Sequence, residues 1–279
     1  MGTRVIGCTL PDGYKHNYEN MHEGHLKPGF MIEPKQYKKI VSVMIPTRNR
    51  MVPNYDPDFP QVGGLLNTLE SIFQNTTSKE KVEIILRVDD DDKNTLDNLH
   101  LLDKYNDAFD LRVLKGPRYR GYIHMYRFIN EMAAVANGEF LFSFNDDATI
   151  DTPSWEALLE EHSGKVGIIG PFFRGNEGGP TQNLFPIIHR KIIEVQGYYS
   201  LHEATDTHYD YWCSILRGLG YELRIEDDRI STTHVPLGGE HVRDDLFSDP
   251  GGVKNYIDKI TADAVRLINY FGGELNASR

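Results

Sequence analysis

The sequence predicts an α/β fold with a mainly parallel central sheet flanked by helices. Short apolar runs alternate with amphipathic helical stretches between residues 41 and 170, and three of those runs end abruptly in polar or acidic residues. Such alternation builds a parallel sheet with helices packed on its faces. VSVMI (41–45) is a buried-type strand that Pro46 should stop. VGGLLNTLESIFQNT (62–76) sets Leu65, Leu66, Leu69, Ile72 and Phe73 on one helical face. VEIILRV (82–88) and LRVLKG (111–116) read as the next strands. A helix follows over 121–138, with Tyr122, Met125, Tyr126, Ile129, Ala133 and Ala136 three or four apart and Gly138 as its stop. FLFSF (140–144) is a strand, Thr152 and Pro153 look like the cap and first turn of a helix over 153–162, and VGIIG (166–170) is another strand. No repeat of 20–50 residues is visible, which excludes a solenoid.

Composition narrows the function classes. The 279 residues carry a formal net charge of −11, with 39% hydrophobic and 25% charged residues, as in an ordinary globular protein. An acidic chain is a poor general binder of phosphate backbones, so nucleic acid is not the expected partner. No run approaches the ~18 apolar residues of a membrane span, and the first twenty residues lack the apolar core of a signal peptide. Ile6 stands where a myristoylation signal needs Ser or Thr. Cys8 and Cys213 have no metal-ligand spacing, so a reducing, cytoplasmic setting is the expectation. The basic residues do cluster, at Arg48 with Arg50 and at Lys115, Arg118 and Arg120. That clustering suits an anionic small molecule, with a solvated surface as the plain alternative.

In open α/β sheets, ligands bind beyond the C-terminal ends of the strands. Here those ends deliver Pro46-Thr47-Arg48-Asn49, then Asp89 to Asp92, then Asn145-Asp146-Asp147. Adjacent carboxylates raise each other's pKa or demand a cation, unless they simply form a solvated turn. Three strands that carry such groups to one rim point to a site.

VSVMIPTRNR, EIILRVDDDDKNT and GEFLFSFNDDATI resemble, in that order, the nucleotide-binding half of the family 2 glycosyltransferases. HRKIIEVQGYYS (189–200) and HYDYWCSILRGLGYELRIEDDRISTTH (208–234) resemble its acceptor half, so the likeness covers roughly residues 40–235. It implies a GT-A fold and a metal-dependent, inverting transfer of a sugar from a nucleotide-sugar, with a UDP-sugar as the expected donor, to an unidentified acceptor. The implied organisation is an irregular extension over 1–40, a GT-A domain over 41–239 and a helical tail over 240–279. Within that domain, 41–150 would be the nucleotide-binding half and 151–239 the acceptor half.

The resemblance also implies residue roles. Asp147 would bind a divalent ion, Mn²⁺ or Mg²⁺, and Asp146 the ribose or a metal-bound water; the third-position aspartate of the family motif is replaced by Ala148. Asp90 would contact the pyrimidine, with Pro46, Thr47 and Arg48 as the opposite wall and Arg118 or Arg120 on the diphosphate. Asp91 and Asp92 replace the usual Gly-Ser and read as a solvated acidic loop. His234 would complete the metal shell, with His241 and His208 as rivals. Asp210 would be the catalytic base, with Asp206 as the fallback; Thr207 and Asp210 also have the spacing of a capping box.

The Gly-rich stretch FFRGNEGGPTQN (172–183) suits a loop that orders over substrate. VKNYIDKITADAVRLINYF (253–271) is an amphipathic helix that could cover the domain's back or pair with a second copy of the chain. Other functions stay open from sequence. A nucleotidylyltransferase also uses paired aspartates, although it calls for glycines after the first strand that PTRNR lacks. A non-catalytic nucleotide- or glycan-binding domain of the same fold is the third reading.

Overall fold

In the computed structural model of the protein, the described residues are 36–48, 51, 64–119, 124–174, 185–200, 205–234, 257–272 and 275–277. The first half runs β1 (Lys39–Thr47), α1 (Leu65–Asn75), β2 (Val82–Asp89), α2 (Lys93–Leu96), α3 (Asp103–Asn106), β3 (Asp110–Gly116), α4 (Met125–Val135) and β4 (Gly138–Ser143). The second half runs β5 (Ala148–Ile150), α5 (Trp155–Glu160), β6 (Ile168–Ile169), β7 (Phe172–Arg174), β8 (Ile187–His189), α6 (Arg190–Gln196), α7 (Thr205–Gly218), β9 (Tyr221–Glu222), β10 (Arg224–Ile225), β11 (Ser231–His234) and α8 (Ile257–Phe271).

The main sheet has seven strands in the order β10-β6-β8-β4-β1-β2-β3. β3, β2, β1 and β4 are mutually parallel, and β8 runs antiparallel to both β4 and β6. Alternation along the strands sorts the core into two layers. Val41, Val43, Ile45, Phe140 and Phe142 face α1 and α5, against Leu69, Ile72, Trp155 and Leu159. Met44, Ile85 and Leu141 face the other way, onto Ile129, Ile192, Trp212 and Leu267. A fully buried side chain of this size stabilises the fold by about 1.5–3 kcal/mol. The apolar face of α8 is part of this second layer, where Ile260, Ala264, Leu267 and Phe271 pack with residues of α6 and α7. Its expected amphipathic surface is therefore covered within the chain.

A buried carboxylate ties the lower end of the sheet. Glu83 accepts bonds from Ser42 Oγ at 2.5 Å, from Asn137 N at 2.8 Å and Nδ2 at 2.9 Å, and from Arg112. β4 approaches β1 so closely there that a Cβ on Gly138 would lie 2.4 Å from Ser42 N, so only glycine fits.

Four local expectations need correction. Gly138 does not stop the helix, which ends at Val135, but opens β4. β1 does not stop at Pro46 but continues to Thr47, still in register with β2 at Pro46↔Arg87. Pairing with β4 ends at Met44↔Ser143, and Met44 O takes the last bond, from Phe144 N at 3.0 Å. The donor that proline lacks would point to the side that β4 has already left. The helix over 153–162 starts only at Trp155, and the Thr152 hydroxyl does not cap it but donates to Arg229 O at 2.8 Å and accepts from Ser231 N at 2.8 Å. Thr207 is no capping residue either, because α7 begins at Thr205 and both Thr207 and Asp210 lie inside it. The glycine-rich stretch beyond Arg174 falls outside the described residues.

Candidate active site

The C-terminal ends of β1, β2 and β4 lie side by side, because β1 is paired in parallel with both of the others. From β1, the Thr47 hydroxyl donates to Asp146 Oδ2 at 2.7 Å, joining the first strand to the acidic turn after β4. Asp147, the next residue, is 9% exposed, and its Oδ1 lies 3.0 Å from His234 Nε2. That bond raises the His234 pKa above its ordinary value, with burial working against it.

His234 reaches this place through a second, three-stranded sheet in which β11 lies between β5 and β7. The antiparallel register His234↔Ala148 sets the histidine beside the acidic turn. Two side-chain contacts hold β11 there: Thr233 Oγ1 donates to Asp151 Oδ2 at 2.7 Å, and Thr152 bonds Ser231 N.

The other half of the rim is a chain of alternating charges. Arg48 Nη1 is 3.0 Å from Asp89 Oδ2 and 2.5 Å from Asp91 Oδ1, and Arg118 Nη1 is 3.7 Å from Asp91 Oδ2. Behind Asp89 stands Arg87, 1% exposed, whose Nε donates to Glu131 at 2.6 Å and whose Nη1 lies 3.3 Å from Asp89. Arg87 also donates to Val88 O at 2.8 Å and to Pro117 O at 2.7 Å, and its guanidinium sits 4.8 Å from the Phe128 ring centre. One buried cation thus braces the ends of β2 and β3 against α4.

Most of the sequence-predicted set gathers on this rim. Thr47, Arg48, Asp146, Asp147, His234 and Arg118 are joined by the contacts above, and Pro46 lies half-buried in β1. Asp90 is exposed on the turn after β2, its N–H bound to Gly116 O at 2.8 Å. Asp92 overturns its expectation: it is 1% exposed, and its side chain accepts from Thr95 N, capping α2 rather than standing in a solvated loop. Asp91 is half-exposed but departs from that expectation too, since it is ion-paired with Arg48 and Arg118. Arg120, His241 and the side chains of Asp206 and His208 lie outside the described residues.

Asp210 is half-buried on α7, next to Cys213, whose thiol is pushed up to about 12 by burial and then by this carboxylate. The start of α7 is anchored near the rim through a neighbour. Tyr209 donates to Tyr199 O, and the Tyr199 hydroxyl lies against Ser143, the last residue of β4. Asn130 of α4 holds the same turn, accepting from Tyr199 N at 2.6 Å and donating to Ser200 O at 2.7 Å.

Sequence reasoning missed Arg87 and the pairing role of Asp89. The available signal was a charged residue within a strand whose neighbours are otherwise apolar, since a buried charge requires a partner.

Among the described residues no group of three or more His, Cys, Asp or Glu converges to hold a metal ion. Asp147 and His234 supply a carboxylate oxygen and an imidazole nitrogen within 3.0 Å of each other. This donor set fits Mn²⁺ or Mg²⁺ provided phosphate oxygens and water fill the remaining positions.

Comparison with known proteins matches this architecture. The chain is 15% identical to S. aureus TarS 1–349 in complex with UDP, with a TM-score of 0.50, covering 82% of this chain and 66% of that one. For the same protein in complex with UDP-GlcNAc the TM-score is 0.53, with 15% identity and coverage of 83% and 73%. A mannosyltransferase from Pyrobaculum calidifontis, PcManGT, in complex with GDP-Man and Mn²⁺, gives 0.52 at 15% identity, covering 92% of this chain and 82% of that one. At such identity the likeness carries the fold alone, a GT-A type glycosyltransferase fold. The chain spans only 44% of the longer TarS chain. No curated protein matches it. The model of glycosyl transferase family 2 matches residues 42–217, well over half of the 279 residues, from the start of the sheet through the helix that carries Asp210. The chain therefore belongs to glycosyl transferase family 2, a family of glycosyltransferases.

Proposed function

We propose that this glycosyltransferase is inverting and metal-dependent, moving a sugar from a UDP-sugar to an acceptor hydroxyl. The observation that carries the proposal is the meeting of Thr47–Asp146 and Asp147–His234 at one end of a parallel sheet. Acidic and imidazole donors collected there suit a cation shared with a diphosphate. Bound at Asp147 and His234, a divalent ion supplies charge neutralisation to the departing nucleotide.

The chain's own residues do the rest. Asp90, exposed on its turn, accepts from a pyrimidine N–H, while Thr47 and Arg48 wall the base and Arg118 meets the diphosphate. Asp210 takes the proton of the acceptor hydroxyl as that oxygen attacks the anomeric carbon. The new C–O bond forms as the bond to the phosphate oxygen breaks. The electron pair leaves with the nucleoside diphosphate, and the configuration at carbon inverts. A cytoplasmic setting suits the free, buried thiol of Cys213.

The GDP-Man carried by PcManGT motivates GDP-sugars as the second donor class. Thermal-shift titration with UDP and GDP, each with and without Mn²⁺, separates the two by linkage. Asp210→Asn, assayed with the donor so identified, is expected to lower turnover about 10²–10⁴-fold while leaving nucleotide binding intact. Undiminished turnover would remove Asp210 from its role. Transfer of a nucleotidyl group to a sugar phosphate would show a different reaction altogether.

A further inference from the structure

We propose that Asp91 is a displaceable internal anion, lying between Arg48 of the base wall and Arg118 of the diphosphate site and setting how tightly that nucleotide is held. The inference rests on the donor site proposed above.

Along the alternating chain Glu131–Arg87–Asp89–Arg48–Asp91–Arg118, exposure rises steeply as far as Asp91, and Arg118 beyond it is 26% exposed. Arg87 and Glu131 have side chains 0% and 2% exposed, Asp89 8%, Arg48 27%, and Asp91 49%. The inner members are fixed by several bonds each. Arg48 keeps its hold on Asp89 at 3.0 Å whatever Asp91 does, so its guanidinium stays in place. Asp91 touches the same guanidinium with both oxygens, at 2.5 Å and 3.4 Å, and reaches Arg118 at 3.7 Å on its other side. A carboxylate between two guanidiniums mimics a phosphate group placed there. Its pKa is lowered by the Arg48 hydrogen bond, so it carries full charge at neutral pH. Being half-exposed, it swings into water at little cost, because exposed ion pairs are weak.

Without Asp91, Arg118 would meet a nucleoside diphosphate without first releasing that carboxylate, and would hold it more strongly before and after transfer. With Asp91 present, every bound diphosphate must first displace a carboxylate, and the carboxylate returns when the product leaves. Asp91 thereby exchanges donor affinity for faster product release, a step that limits many enzymes.

Asp91→Asn keeps the shape and removes the charge. Calorimetric titration of the full chain with UDP and, separately, uridine tests the idea in the presence of Mn²⁺. UDP is expected to bind the variant on the order of threefold more tightly, with uridine unchanged, because Arg48 stays held by Asp89 and only the phosphates compete with Asp91 for Arg118. Donor KM and turnover should fall together. A UDP affinity that is unchanged or weaker in Asp91→Asn overturns the proposal, and so does an equal gain for uridine. If neither wild type nor variant binds UDP or GDP, the donor site itself is refuted and this inference falls with it. Binding by wild type without the predicted gain refutes the inference alone. Because Asp91 contributes to no core, the thermal midpoint of the variant should stay close to that of wild type, which separates these outcomes from misfolding.

Discussion

At the β2–β3 end of the rim Asp89 stands between Arg87 and Arg48, and Asp91 between Arg48 and Arg118. At the β4–β11 end Asp146 meets the Thr47 hydroxyl, and Asp147 meets the imidazole of His234. Both ends concentrate carboxylates at the mouths of neighbouring strands, yet they answer the charge differently. The first is neutralised by guanidiniums that never lose their protons, and its buried members, Glu131, Arg87 and Asp89, form a fixed brace from which only the outer Asp91 can be displaced. The second uses a hydroxyl and a titratable ring, partners that can also turn towards a cation. One rim thus holds a buried brace beside a receptive seat, each positioned by its own contacts.

Breaking the brace should have the largest effect. Arg87→Met strands Glu131, buried on α4, without its guanidinium partner. A loss of about 3–5 kcal/mol is expected in chemical denaturation, as for other one-sided breaks of buried ion pairs. Pairing it with Glu131→Gln should recover part of that loss. A single-variant loss below ~1 kcal/mol would mean that the two ends do not differ as described.

Asp147→Asn attacks the receptive end and should act oppositely, sparing stability and removing function. Turnover is expected to fall about a hundredfold, equivalent to ~2.7 kcal/mol. The stabilisation that Mn²⁺ gives in the presence of UDP should disappear with it. Retention of that shift would place the cation elsewhere. Thr47→Val is the finest cut, deleting the 2.7 Å bond to Asp146 in a site 6% exposed. It should weaken UDP binding by about 1 kcal/mol, and unchanged affinity would show that Asp146 needs no positioning from β1.

These two ends were legible in the sequence to different degrees. Apolar runs that stop in Asn145-Asp146-Asp147 and in Pro46-Thr47-Arg48 announce strand ends and polar groups together, and parallel pairing brings them to one edge. His234 was found through its order among motifs, while its position beside Asp147 depends on a register with β5 that local pattern does not contain. The brace was invisible for a related reason. Arg87 stands in a strand buried along its whole length, and its partners Glu131 and Pro117 are separated from it by 44 and 30 residues. Asp92 could have been recognised, since Asp-Lys-Asn-Thr has the form of a helix start, but the run of four aspartates disguised it. Pro46 misled in the opposite sense, because a proline ends a strand only where a neighbour still needs its missing N–H.

The bond between Asp147 and His234 joins residues 87 apart, and the segment between them passes repeatedly between the small sheet (β5, β7, β11) and the main one (β6, β8, β10). Ordering so long a loop costs entropy that only late, non-local contacts return. The Asp147–His234 contact is therefore a clasp between distant parts of the chain, set by the register of β11 on β5. A one-residue slip of β11 against β5 would carry His234 away from Asp147 without changing either residue.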